Sequence, residues 1–202
     1  MTSSDTLSGK TILLLGDSIR MGYAPFVRDM LKDRATVLYP DDNCRFAQYL
    51  FRGLYDWRAL PEDAGAVDIV HWNSGLWDIG QMDASDCVTP PDIYIRFQER
   101  ICDTLRRYFP NAALAFATTT PINTSVVCEQ HTLGNAVVEE YNALARAVLE
   151  PRGVAIDDLY SFVRQNATQH YADIVHYTPE GFSLIAEEVV RFLERTTQET
   201  RP

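Results

Sequence analysis

Short, wholly apolar runs alternate along the chain with longer stretches in which apolar residues recur every three or four positions. Residues 11–16 (TILLLG) are apolar without alternation and end in glycine, the pattern of a strand buried on both faces of a parallel sheet. Residues 36–39, 66–72, 112–117 and 154–156 predict four further short strands. Between them, Phe26, Val27, Met30 and Leu31 share one helical face within 25–31, and Phe46, Tyr49, Leu50, Leu54 and Trp57 share another within 46–60. Helices are also expected over 93–108, stopped by Pro110, and over 136–149, where Val137, Tyr141, Leu144, Ala145 and Val148 align. A last helix opens at Pro179 after a capping Thr178 and runs to about residue 195, with Phe182, Ile185, Ala186, Val189 and Leu193 facing inward. Strand–helix alternation of this kind predicts a three-layer α/β/α sandwich of about five parallel strands. A single domain over 1–202 is expected, with frayed ends at 1–9 and 197–202.

Composition narrows the partners more than the fold. With 46% hydrophobic and 23% charged residues, the chain is excluded from the disordered, collagen-like and coiled-coil classes. Lys+Arg number 18 against 28 Asp+Glu, a formal charge of −10 with no basic run to offset it. Nucleic acid and anionic membrane surfaces are therefore not expected partners. Apolar runs such as 12–15 are too short for membrane insertion, and 1–10 is polar, unlike a secretory signal. A cytoplasmic location is the expectation. The four cysteines (Cys44, Cys87, Cys102, Cys128) form no C-x-x-C pair, so free thiols are expected and a metal site is not.

Open α/β sheets gather their chemistry at the carboxyl ends of the strands. Behind the first strand stands Gly16-Asp17-Ser18, where a glycine and two small polar residues let the chain turn sharply and leave a serine at the sheet edge; alternatively Asp17 or Ser18 caps the next helix. Asp173-Ile174-Val175-His176 precedes the last helix, a spacing that lets a carboxylate reach the histidine Nδ1 and leave its other nitrogen free to take a proton. The third strand ends at Asn73, whose amide can donate to an oxyanion or satisfy the local turn. A tight turn at Asn43-Cys44 follows the second strand and presents backbone N–H groups to the same edge. Three other motifs fail: Gly9-Lys10-Thr11 lacks the earlier P-loop glycine and precedes its strand, no G-x-G-x-x-G occurs, and Ser18 sits in G-x-S-x-R rather than G-x-S-x-G.

Gly16-Asp17-Ser18 behind the first strand, together with Asp173-x-x-His176 before the last helix, resembles the SGNH/GDSL hydrolase family over almost the whole chain. The resemblance implies a flavodoxin-like sandwich and hydrolysis of carboxylic esters through a serine acyl-enzyme, with no metal or other cofactor. Ser18 is then the nucleophile, His176 the general base and acid, and Asp173 the residue orienting His176. The middle blocks depart from the family. Gly75-Leu76-Trp77-Asp78 carries Trp77 where G-x-N-D has its asparagine, so Asn73 is the expected side-chain donor of the oxyanion hole, beside the N–H groups of Ser18 and Cys44. Asn43, Gly75, Trp77 and Tyr177 are candidate substrate contacts. The expected substrate is a small-molecule or carbohydrate ester with a short acyl group such as acetyl. A thioesterase, a lysophospholipase, a sugar O-acyltransferase and a non-catalytic ligand-binding relative are the alternatives.

Overall fold

The five apolar runs form one parallel sheet in the computed structural model, which describes residues 6–82 and 86–199. The strands are β1 (Thr11–Leu15), β2 (Thr36–Leu38), β3 (Ile69–Trp72), β4 (Ala113–Ala117) and β5 (Ala155–Asp157), in the order β2-β1-β3-β4-β5. Register places Leu15 beside Trp72, Trp72 beside Phe116 and Ala117 beside Asp157. The order reverses between β1 and β3, which opens a crevice outside their carboxyl ends.

Helices cover both faces. α1 (Ser18–Leu31), α5 (Leu159–Asn166) and α6 (Pro179–Glu199) pack together, as do α2 (Ala47–Trp57), α3 (Pro91–Tyr108) and α4 (Gly134–Leu149). Alternation along β3 separates the two layers. His71 points to α1 and α6, edge-on to the rings of Tyr23 and Phe192, whereas Trp72 points to α3 and donates from Nε1 to Gln98 Oε1. Leu13, Leu14 and Leu15 are fully buried, each contributing about 1.5–3 kcal/mol by leaving water. A polar link crosses this core: His71 Nε2 lies 3.0 Å from Asp157 Oδ2 on β5, and its Nδ1 lies 3.4 Å from the Tyr23 hydroxyl. Burial raises the Asp157 carboxyl above its ordinary value, and the bond from His71 offsets part of that rise.

Several boundaries differ from the expectation for local reasons. α1 begins at Ser18, well ahead of Pro25, because Asp17 caps it by accepting from the Ile19 N–H at 3.0 Å. Pro25 sits inside that helix and forfeits one bond of the ladder. β3 starts only at Ile69, since Asp63 caps a 3₁₀ turn at Ala64–Ala66. α5 was not expected at all. Eight residues carry too little period to read, but Asp158 caps it through the Ser161 N–H, and Leu159, Tyr160 and Val163 are buried beneath it. Nor are the ends frayed where they are described. Leu7 is fully buried and α6 continues to Glu199, while residues 1–5 and 200–202 lie outside the described residues. Among the described residues, no helix is long and apolar enough to cross a membrane.

Candidate active site

The turn from β1 into α1 delivers Ser18. Gly16 makes the turn, and there is no room for a side chain there: a Cβ would lie 1.8 Å from Asn73 Oδ1 and 2.8 Å from the Arg20 Cβ. Asp17 is spent as the helix cap and is fully buried, so both readings of this tripeptide hold, one residue each. Ser18 is the first residue of the helix and only half-buried. Its N–H belongs to the unpaired first turn, where the helix dipole favours negative charge.

The partner arrives on the segment leading into α6. Tyr171 and Tyr177 form an antiparallel bridge with stacked rings, and the Ala172 N–H donates to the His176 carbonyl, closing a short loop between them. Inside it, Asp173 uses its two oxygens differently. Oδ1 accepts from the backbone N–H groups of Val175 and His176, and Oδ2 lies 2.7 Å from His176 Nδ1. Desolvation acts to raise the Asp173 carboxyl, but the His176 and Val175 N–H groups and the imidazole outweigh it and hold the carboxyl below its ordinary value. A carboxylate can only accept, so Nδ1 carries the proton and Nε2 is left as an acceptor. His176 Nε2 lies 2.8 Å from Ser18 Oγ, across 158 residues of sequence. The arrangement can take the hydroxyl proton onto an imidazole whose charged form the carboxylate stabilises.

Ser18, Asp173 and His176 open onto a cavity of about 450 Å³, a size that suits a small organic ligand. Asn43 and Trp77 line it, with Leu76, Ile174 and Val175 supplying an apolar wall. Trp77 is 39% exposed, so its indole is available at the cavity edge. Met82, Cys128 and His131 also line it; sequence reasoning assigned them no part in a site, because Met82 and Cys128 sit in loops and His131 ends a single 3₁₀ turn (Glu129–His131), with no motif or period.

Four expected residues are placed differently. The Cys44 N–H donates to the Gly16 carbonyl at 3.0 Å, so it is consumed, and the Cys44 side chain is buried, its thiol pushed up to about 11 by desolvation. Asn73 lies behind the Gly16–Ser18 turn. It lines a narrow void with Asp17, Tyr23 and the 118–120 segment instead of the cavity that holds Ser18. Its amide abuts the buried Asp17 carboxyl, which desolvation raises and the Asn73 contact lowers in part, while Asn73 Oδ1 accepts no hydrogen bond. Gly75 is buried at φ 150°, where a Cβ would lie 2.1 Å from Thr119 Oγ1, so it serves packing. Tyr177 is 3% exposed and donates to the Pro121 carbonyl; it supports the histidine loop from below.

Asp78 holds the cavity loop in place. Both of its oxygens accept from the Ala47 N–H, at 3.1 and 3.2 Å, capping α2 from outside where Phe46 gives no side-chain cap. Burial pushes its carboxyl up to about 7, with the Ala47 N–H drawing it partly back.

No family model matches the sequence, and no curated protein does. Solved structures do match in shape. An acetylxylan esterase from Geobacillus stearothermophilus superposes at a TM-score of 0.72 with 16% identity, covering 94% of this chain and 96% of that one. A carbohydrate esterase family 3 protein from Talaromyces cellulolyticus gives 0.70 with 16% identity, covering 95% and 100%. A GDSL-like lipase from Bacteroides thetaiotaomicron gives 0.69 with 12% identity, covering 95% and 89%. The chain has the SGNH/GDSL hydrolase fold, and its structural neighbours are esterases and lipases.

Proposed function

We propose that the chain is a metal-independent serine hydrolase of carboxylic esters that works through an acyl-enzyme and removes short acyl groups, such as acetyl, from a carbohydrate. The observation that carries this reading is the continuous relay from Asp173 through His176 to Ser18 Oγ, with both contacts under 3 Å. Ser18 attacks the ester carbonyl as His176 Nε2 takes its proton. His176 then returns that proton to the departing alcohol as the carbon–oxygen bond breaks. Water repeats the two steps and releases the acid. Two features favour a sugar ester. The exposed Trp77 indole offers a flat apolar face to a pyranose ring, and acetylxylan esterases stand among the structural neighbours. The charge of −10 disfavours polyanionic substrates, which points to a neutral saccharide.

A second reading, a relative that binds its ligand without turnover, draws support from the consumed Cys44 N–H and the withdrawn Asn73. Stoichiometric labelling of Ser18 by a fluorophosphonate separates the two, because an unactivated serine reacts poorly. On the hydrolase reading, Ser18→Ala folds normally and loses both the labelling and the cleavage of p-nitrophenyl acetate and acetylated xylo-oligosaccharide. Undiminished turnover in that variant rejects the proposal. Deacetylation of the oligosaccharide at a rate no better than that of a butyryl or longer ester rejects the acetyl-sugar assignment alone.

A further inference from the structure

An acyl-enzyme mechanism needs hydrogen-bond donors where the carbonyl oxygen becomes an oxyanion, and only one expected donor, the Ser18 N–H, remains available at the cavity. The Cys44 N–H is held by Gly16, and Asn73 lies behind the turn. Asn43 remains. It lines the cavity with Ser18 and His176, and its Oδ1 is already occupied by the Arg45 N–H at 2.9 Å. That bond forms an Asx turn and fixes the sense of the amide: the carbonyl end faces the backbone, and the NH₂ end has no partner among the described residues.

The turn is tied to the nucleophile by a buried cation. Arg20, on the same helix as Ser18, is 1% exposed. Its guanidinium donates to the carbonyls of Pro40 (2.9 Å), Asp42 and Gly16 (3.2 Å). The carbonyl just before Asn43 and the one two residues before Ser18 are thus held by a single rigid fork. The Tyr49 hydroxyl adds a bond to the Asp42 carboxylate at 2.7 Å. Burying a guanidinium is costly unless its donors are used, and here three loop carbonyls take up its two terminal nitrogens while the buried Nε has no partner among the described residues.

We propose that the Asn43 side-chain amide is an oxyanion donor of this site, with Arg20 as the residue that positions it. The proposal rests on the serine acyl-enzyme reading. It moves the side-chain donor from the end of β3 to the loop after β2, and it accounts for the cationic fork that a mere surface turn does not require.

Asn43→Asp is the informative variant: an aspartate keeps an acceptor for the Arg45 N–H, loses the donor and adds a negative charge, and the oxygen/sulfur comparison separates the lost donor from the added charge. Its kcat on p-nitrophenyl acetate is expected to fall about 10²–10³-fold, with KM and the unfolding temperature little changed. The matched thionoester gives a readout that a structural role would not move. Sulfur is a weak hydrogen-bond acceptor, so the wild-type preference for the oxygen ester should collapse in Asn43→Asp. Arg20→Lys, which retains charge but cannot span three carbonyls, should lower kcat and shrink the same preference in part. Wild-type kcat and an unchanged oxygen/sulfur preference in Asn43→Asp overturn the proposal. If Asn43→Asp does not fold, Asn43→Ser replaces it: a hydroxyl that keeps more of the preference than Asn43→Ala supports the proposal, and equality of the two overturns it. Loss of activity in Ser18→Ala alongside full activity in Asn43→Asp would leave the esterase reading standing and remove only this inference.

Discussion

Replacing Asp78 by asparagine tests the electrostatic account of the loop that shapes the cavity. The carboxyl is raised from 3.8 to about 7 by burial, so in the folded protein it holds its proton up to near neutrality, whereas in the unfolded chain it loses it near pH 4. Between those limits the folded state binds more protons than the unfolded one, so stability falls as pH rises. At about 1.4 kcal/mol per unit, a shift of this size amounts to about 4 kcal/mol of stability present at pH 4 and gone by pH 8. That is a large fraction of the roughly 5–15 kcal/mol that holds a domain together, and it corresponds to about 10 °C in unfolding temperature for a chain of this length. Asparagine keeps a carbonyl oxygen for the Ala47 N–H and cannot ionise. Thermal unfolding followed by circular dichroism at pH 5, 6, 7 and 8 should therefore give a steeper decline for the wild type than for Asp78→Asn, with the two lines diverging as Asp78 titrates. Asp157, also raised by burial, contributes to both proteins and cancels in the difference, whereas the Asp17 charge helps to raise Asp78, so the difference reports Asp78 together with its coupling to Asp17. Parallel lines would refute the assignment of a protonated acid to this position.

Two other substitutions address the core and the withdrawn asparagine. His71→Phe leaves the fully buried Asp157 carboxyl without its partner and is expected to cost about 3–5 kcal/mol in urea unfolding; a loss below about 1 kcal/mol would mean that the pair is not felt. Asn73→Ala should lower kcat less than Asn43→Asp does, since Asn73 faces Gly16 and Asp17. The reverse order in p-nitrophenyl acetate turnover would return the oxyanion role to Asn73.

The sheet was legible in the sequence because a strand covered on both faces must be apolar at every position. That condition marked 11–16 and 112–117 without reference to anything distant. The five longer helices were legible from their period, unlike the short α5, with their starts blurred where a cap such as Asp17 overrode a proline further along. Ser18, Asp173 and His176 stood out because each lies in a short block whose local geometry serves one purpose: a sharp turn for the serine, and a loop of three residues for the acid and the imidazole. Their meeting at 2.8 Å across the sheet edge follows from topology, which the alternation of elements supplied.

What the sequence did not determine is where each donor points. Asn73 and Cys44 hold the positions that strand ends and turns predict, yet one is turned beneath Gly16 and the other spends its N–H on the Gly16 carbonyl. Those outcomes depend on side-chain volume, and on which carbonyl lies within reach, in a region where three separate segments converge. Arg20 shows the same limit from the other side, since a lone arginine beside the serine carries no motif, and only the folded chain brings Pro40, Asp42 and Gly16 around it. Periodicity and spacing act along one chain and so fixed the frame; hydrogen-bond allocation is a competition among neighbours brought together from far apart, and tertiary packing alone decided it.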